Sequence, residues 1–189
     1  MKSSKFLVAS PAIFGDHHFQ RSVILLTEEK DSGTVGFIIN KKMEYALDEL
    51  MEGIDTPFPL FYGGPVEPDN LFYIHRAADR IPNSIPLDDT WFWCGDFKAV
   101  QQLVNSKELT QTDIRFFLGY SGWSAGQLED ELESNSWLVF KKKLAFDWMI
   151  TPPKTLWKKL IQSIIELQPI SKTRSQISLS ELTMANRRN

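Results

Sequence analysis

Residues 122–126, Gly-Trp-Ser-Ala-Gly, carry a spacing that is typical of a catalytic nucleophile. A G-x-S-x-G motif places a serine hydroxyl on the turn between a strand and a helix, where a histidine can activate it. An α/β-hydrolase needs that histidine after the serine, and all three histidines of the chain precede Ser124. The competing interpretation is helix capping, because Ser124 and Gln127 have the S-x-x-Q spacing of a capping box. We favour the capping box over the serine hydrolase.

Two glycine-containing segments could bring bare backbone close to a ligand. Residues 119–126 join a predicted strand to a predicted helix, and Gly63 and Gly64 follow an apolar run. Backbone N–H groups at such positions attract anions, and glycine lets a ligand approach closely. The alternative is that these glycines only permit tight turns. The chain has neither Walker spacing nor G-x-G-x-x-G, so support for nucleotide binding is weak.

His75 ends an apolar, strand-like run. An imidazole titrates near neutral pH, so His75 could act as a general base with Glu67 or Asp16 in a hydrolase or transferase. The alternative is a structural histidine whose ring nitrogens are satisfied by hydrogen bonds. His17 and His18 are adjacent and would point to opposite faces of a strand, which disfavours a metal site. We predict neither a metal nor a cofactor.

Charge and composition disfavour several classes of protein. The 189 residues include 21 Lys and Arg against 24 Asp and Glu, for a net charge of −3. This balance disfavours direct DNA binding, because phosphate contacts need a basic face. A single cysteine excludes an internal disulfide. No apolar run approaches the roughly 20 residues of a membrane span, so we predict a cytoplasmic protein with no membrane segment.

Hydrophobic patterning predicts several strands. Residues 23–27 and 34–39 are rich in β-branched side chains and flank an Asp-Ser-Gly turn, which predicts a β-hairpin. Further apolar runs predict buried strands. These runs are residues 71–75, 90–93, 114–120 and 137–140.

Helical patterns alternate with the strands. Asp96 is a predicted N-cap, and Pro152 and Pro153 precede a segment with apolar residues at helical spacing. A further helix is predicted over residues 124–133. The fold class is therefore α/β (α+β), a layered β-sheet flanked by helices. We predict a single domain over residues 1–168 and a flexible, polar and basic tail over residues 169–189.

Several blocks, in this order, carry a resemblance to a known family. They are residues 6–11, 19–23, 33–40, 62–66, His75 and 119–129, followed by Trp137 and Leu138. Together they resemble the AlgH/YqgE family of bacterial proteins, over about residues 5–165. The resemblance implies an α/β sandwich, and the name of one member implies transcriptional regulation, but it implies no reaction. Lys41 and Lys42 depart from the family pattern, which usually continues after this Asn with Arg or Lys and then Pro.

We expect the ends of several strands to meet around one cleft, because ligand sites in α/β sheets lie beyond strand ends. The candidate ligand-binding residues are Asn40, Gly63, Gly64, His75, Tyr120, Gly122, Trp123 and Gln127. They predict a non-enzymatic domain that binds a small ligand or a protein partner and would act on transcription only indirectly. The alternatives are a hydrolase or transferase and a structural interaction protein. A deep polar pocket favours ligand binding or catalysis, and a flat apolar patch favours the interaction protein.

Overall fold

The structure, a computed structural model, describes residues 4–11, 18–141 and 143–167. Within these ranges the chain forms ten strands and four helices. The strands are β1 (Lys5–Ala9), β2 (Val23–Lys30), β3 (Gly33–Ile38), β4 (Lys42–Ala46), β5 (Pro59–Tyr62), β6 (Val66–His75), β7 (Ile85–Pro86), β8 (Phe92–Trp93), β9 (Ile114–Ser124) and β10 (Trp137–Phe140). The helices are α1 (Leu47–Leu50), α2 (Phe97–Asn105), α3 (Gln127–Glu133) and α4 (Pro153–Leu167).

One large sheet contains all ten of these strands. Its order is β10-β1-β2-β3-β9-β6-β8-β7, with every neighbouring pair antiparallel. Strand β5 joins β9 as a parallel neighbour, and β4 pairs with the other edge of β5. The predicted hairpin is confirmed as β2 and β3. The mixed fold with its layered sheet and helices confirms the predicted fold class.

Helices cover the sheet because each presents an apolar face to it. The buried residues of α4 recur at three- and four-residue spacing, from Leu156 to Ile164, and pack on β1, β2 and β3. Val100 and Val104 of α2 pack on a second cluster with β5 and β6. The predicted N-cap of α2 is confirmed, since Asp96 accepts a hydrogen bond from the Lys98 N–H at 2.9 Å.

The predicted domain boundary at residue 168 lies just after the last described residue, Leu167. The predicted tail, residues 169–189, lies outside the described residues, as do Asp16 and His17. The domain boundary at residue 168 therefore stays a prediction. No helix in the described ranges is both long enough and apolar enough to cross a membrane.

One edge of strand β9 pairs with β5 and then with β3, and the change of partner occurs at Gly63 and Gly64, here called the glycine junction. Its first part lies beside β5, and its last part, residues 121–124, pairs with β3. Gly63 bridges the gap: its N–H donates to Leu118 at 2.8 Å, and its carbonyl accepts from Ile38 at 2.9 Å. The Ser121 hydroxyl also donates to the Gly63 carbonyl, at 3.1 Å. Three strands thus meet at one main-chain position.

Gly64 follows at a backbone conformation that L-residues rarely adopt, with φ of +153°. A Cβ at this position would lie 2.2 Å from the Tyr120 carbonyl carbon and 2.4 Å from the Ser121 nitrogen. Both contacts are with backbone of β9, which cannot move without breaking the sheet. Only glycine fits at Gly64.

Replacing Gly64 with alanine should therefore lower the free energy of unfolding by more than about 4 kcal/mol. Gly126→Ala is the matched control, because Gly126 also has a positive φ, +79°, but a Cβ there would meet nothing within 4 Å. It should cost only about 1 kcal/mol, from backbone strain. Urea denaturation followed by circular dichroism measures both values. Equal costs for the two variants would show that close packing at the junction is unimportant.

Candidate functional site

The strand ends expected to share one cleft lie in two separate places. Strands β6 and β9 pair from Val66 opposite Tyr120 to His75 opposite Ile114, with an irregularity between Val66 and Leu71. Six residues of β9 separate the two ends, a distance of roughly 20 Å. The prediction of a single cleft is wrong for His75, because the glycine junction and His75 occupy opposite ends of this ladder.

Asn40 lies near the glycine junction and is fully engaged with backbone. Its side-chain amide donates to the Arg21 carbonyl at 2.9 Å and accepts from the Val23 N–H at 2.8 Å. The next residue, Lys41, accepts from the Tyr62 N–H at 2.9 Å. Asn40, Gly63, Gly64 and Tyr120 thus belong to one region, where their described contacts hold strands together.

The predicted capping box is half correct. Gln127 does reach back, accepting from the Ser124 N–H at 3.1 Å and from the Ser124 hydroxyl at 3.2 Å. However, α3 begins at Gln127 with Gly126 as its N-cap, and Ser124 ends β9 opposite Gly33. The prediction that Ser124 caps the helix is wrong. Strand pairing continues through Ser124, and the N-cap is Gly126, whose backbone has a left-handed conformation.

Trp123 and Gln127 converge on one carboxylate. Glu131 accepts from the indole N–H groups of Trp123 and Trp137, at 2.9 and 2.7 Å. Gln127 donates to the other carboxylate oxygen at 3.0 Å. These bonds connect α3 to β9 and β10. Gly122, on β9, is exposed, and a Cβ there would lie 3.2 Å from the Tyr120 ring.

His75 is completely buried and has partners on both ring nitrogens. Its Nδ1 accepts from the Ala77 N–H at 3.2 Å, so the proton resides on Nε2. Nε2 lies 3.0 Å from the Cys94 carbonyl and 3.1 Å from the Ser84 hydroxyl oxygen. Burial lowers the pKa of His75 below its ordinary value, which keeps the ring neutral. Glu67 lies at the other end of β6, so the two cannot act together.

The chain builds a pocket next to His75 that the sequence analysis missed. Arg76 follows His75 directly and lines a cavity of about 340 Å³, here called the Arg76 pocket. The lining residues come from the start of β1, the turn before β8, and the segment between β10 and α4. They are Ser4, Phe6, Arg76, Asp88, Asp89, Thr90, Trp91, Lys143, Leu144, Ala145, Phe146, Asp147 and Trp148.

Aromatic rings and one ion pair shape the inner wall of the Arg76 pocket. The Arg76 guanidinium lies 2.6 Å from the Asp147 carboxylate and 4.4 Å above the Trp91 ring. The Trp91 and Trp148 rings pack at 4.8 Å between centroids. Asp88 accepts from the N–H groups of Thr90 and Trp91, at 2.7 and 2.8 Å, and from the Ser4 hydroxyl.

Two buried donors in this wall have no hydrogen-bond partner among the described residues. They are Arg76 Nε and the indole nitrogen of Trp148. A buried donor without an acceptor costs roughly 1–3 kcal/mol. No sequence spacing could reveal this pocket, because its residues come from four separate segments.

Metal binding has no comparable support. Nowhere in the described ranges do three His, Cys, Asp or Glu side chains gather as they would to hold a metal ion. Cys94 lies beside the buried His75 region, and burial raises the pKa of its thiol, which disfavours the nucleophilic thiolate.

Comparison with known proteins identifies similar chains. A family model described as AlgH-like matches residues 6–166. A UPF0301 protein from Chlorobaculum parvum is 41% identical over 138 residues, covering 72% of this chain and 73% of the relative. A UPF0301 protein from Cytophaga hutchinsonii is 36% identical over 166 residues, covering 87% and 90%.

Two solved structures share the fold. The solution structure of the AlgH protein from Pseudomonas aeruginosa matches with a TM-score of 0.63 and 25% identity, over 93% of this chain and 94% of that one. A crystal structure of a protein from Corynebacterium diphtheriae matches with a TM-score of 0.66 and 22% identity, over 94% and 93%. The similarity to the second structure establishes the fold alone.

The buried, neutral state of His75 predicts a pH dependence of stability. Below its ordinary pKa of 6.5, His75 gains a proton in the unfolded chain but resists protonation in the folded one. The free energy of unfolding should therefore fall as the pH drops from 7.5 to 5.5. His75→Gln should be less stable at pH 7.5 and show a smaller fall. Chemical denaturation at the two pH values measures both.

His18→Gln is the control for this prediction, because His18 is exposed. The free energy of unfolding of this variant should fall between pH 7.5 and 5.5 by as much as that of the unmodified protein. Imidazole carbon shifts in the unmodified protein give a second readout that does not depend on the variant's folding. A His75 ring that titrates at its ordinary pKa would contradict the neutral, buried assignment.

Proposed function

The chain belongs to the AlgH-like family, and for this member we propose that the Arg76 pocket binds a small, flat heteroaromatic ligand with a carbonyl acceptor. The observation that carries the proposal is a cavity lined by four aromatic side chains, with the partly exposed Arg76 side chain among them. The chain would then act as a ligand-binding protein and not as an enzyme.

The shape of the pocket supports a flat ligand. Trp91, Trp148, Phe146 and Phe6 all line it, and its volume of about 340 Å³ lies within the range of small-molecule sites. Aromatic faces favour a planar ring, which can stack or pack edge to face against them. A ligand of one or two fused rings fits this volume.

The charges of the pocket support an uncharged ligand with both acceptors and donors. Its lining holds Asp88, Asp89 and Asp147 against Arg76 and Lys143, so neither sign dominates. Asp147 is already paired with Arg76, and Asp88 is bonded by backbone N–H groups. A ligand carbonyl would accept from the exposed part of the Arg76 guanidinium, and a ring N–H would find an acceptor in exposed Asp89.

Catalysis has less support than binding. The hydrolase or transferase hypothesis depended on His75 with an acidic partner, and His75 is buried with both ring nitrogens engaged. The hydroxyl of Ser124 donates to Gln127 and has no described bond to a histidine. The structural interaction protein, the third hypothesis, gains no support from a concave aromatic pocket.

A role in transcription would be indirect under this proposal. The net charge of −3 disfavours direct DNA contact, and the predicted basic element is the tail, whose basic residues are Lys172, Arg174, Arg187 and Arg188. Ligand binding would instead change how the chain contacts a protein partner. The cytoplasmic location stays a prediction of the sequence.

Benzamide tests the proposed site, because it combines a flat ring with a carbonyl. It should bind with a Kd on the order of 1 mM, as expected for a ligand of its size, and shift the indole N–H signals of Trp91 and Trp148. Cyclohexanecarboxamide keeps the amide but lacks the flat ring, and it should bind at least about fivefold more weakly. Titration monitored by ¹⁵N–¹H correlation spectra measures both affinities.

Phe146→Ala removes one half-buried wall of the pocket and should weaken benzamide binding about tenfold. Ile150→Ala is the control, because Ile150 is exposed and lines a different cavity. Signals of Trp123 and Trp137 should stay in place throughout, since their indoles bond Glu131. Equal binding of the two amides, or shifts only at Trp123, would refute the proposal.

DNA binding should be weak at about 0.15 M salt and show no sequence preference. Fluorescence anisotropy with labelled duplexes, repeated over a range of salt concentrations, measures it. Replacing the four basic tail residues with serine should abolish whatever binding remains at low salt. Sequence-specific binding that survives both physiological salt and this replacement would contradict indirect action.

A further inference from the structure

A second cavity lies on the other side of residues 147–149, and its inner wall is a buried cation. Arg115 lines this cavity of about 320 Å³ while only 5% exposed, and we call it the Arg115 cavity. Its guanidinium donates to the carbonyls of Ile39 and Met149, at 2.7 and 2.5 Å. These bonds use two of the five N–H donors that a guanidinium carries.

The positive charge of Arg115 has no carboxylate of its own. No ion pair of Arg115 occurs within the described part of the chain, and Asp147, whose charge acts on it, is already paired with Arg76 at 2.6 Å. Burial lowers the pKa of Arg115 to about 10, although the charge of Asp147 acts in the opposite direction. A buried cation that shares its counter-charge with a second arginine still attracts an anion.

The other residues that line the cavity favour an anionic ligand with an apolar part. Lys42, exposed at the start of β4, adds a second positive charge, and none of the described lining residues is acidic. Gln111 and Thr112 contribute polar groups. Thr151 is a third polar residue, and the rest of the lining is apolar, including Ile150, a large side chain that is 61% exposed.

We propose that the Arg115 cavity binds a small carboxylate with a short aliphatic chain, its head group at Arg115 and its chain against Phe61, Met149 and Ile150. A carboxylate matches the planar fork of a guanidinium. It carries one charge, so it is less costly to move into an apolar cavity than a doubly charged phosphate. This proposal is independent of the proposed function of the Arg76 pocket.

Hexanoate is the probe, and hexanamide is its neutral counterpart of nearly the same shape. Titrations monitored by the backbone amide signals of Met149, Ile150 and Thr151 should show that hexanoate binds at least about tenfold more tightly than hexanamide. Inorganic phosphate should bind more weakly than hexanoate. Equal affinity of hexanoate and hexanamide would overturn the proposal, and so would phosphate binding as tightly as hexanoate.

Two variants test separately the contribution of the ligand's charge and that of its aliphatic part. Lys42→Ala should weaken hexanoate binding about two- to fivefold and reduce its salt dependence, while Lys98→Ala, an exposed lysine on α2, should leave it unchanged. Ile150→Ser should weaken hexanoate more than acetate, because only the longer chain reaches it. Both substituted side chains are exposed, so these variants keep the buried Arg115 in place.

Phe146→Ala distinguishes the two sites. Phe146 lines the Arg76 pocket and not the Arg115 cavity, so this variant should lose benzamide and keep hexanoate. Loss of hexanoate in Phe146→Ala, or an unchanged affinity in both Lys42→Ala and Ile150→Ser, would place hexanoate elsewhere and refute the Arg115 site.

Discussion

Arg115 is a charged side chain at the centre of the fold, 5% exposed and held by main-chain carbonyls. From β9 it contacts three separate parts of the molecule. It donates to Ile39 just beyond β3, donates to Met149 before α4, and lies 4.2 Å from the Phe61 ring of β5. Burying a guanidinium costs several kcal/mol unless its donors are satisfied, so these carbonyls must stay in place. The positions of the 147–149 segment and of both cavities follow from this requirement.

The segment of residues 147–149 separates the two cavities and takes part in both. Asp147 pairs with Arg76 on one side, and the Met149 carbonyl accepts from Arg115 on the other. Between them, the Trp148 ring packs on Trp91 and lies 5.1 Å from the Arg115 guanidinium. Each cation therefore has a different environment: Arg76 has a carboxylate and an aromatic face, whereas the described contacts of Arg115 are with carbonyls and aromatic faces. This difference is the reason why we assign an uncharged ligand to the first cavity and a carboxylate to the second.

Local patterns in the sequence were enough to predict much of the sheet. The hairpin of β2 and β3, the Asp96 cap and strand β10 all depend on neighbouring residues, and all three are confirmed. Strands β1, β4, β5 and β7 were not predicted. For β5 the reason is that its place in the sheet is fixed by its distant parallel partner β9. The expected cleft failed because strand pairing, which no local pattern reveals, places His75 far from Gly64. Both cavities were missed for a related reason: Arg76, Trp91 and Asp147 meet only in the folded chain, and a buried arginine has no sequence signature.

Under our proposal, the chain carries a small molecule in an aromatic pocket beside Arg76. Native mass spectrometry of the protein, purified from its own cells without denaturation, tests this claim most directly. We predict an added mass that belongs to a flat, carbonyl-bearing compound and is released on unfolding. The Phe146→Ala protein should lack this mass, and the Ile150→Ala protein should retain it. A preparation that contains only the bare chain, or an added mass that both variants retain equally, would contradict the account.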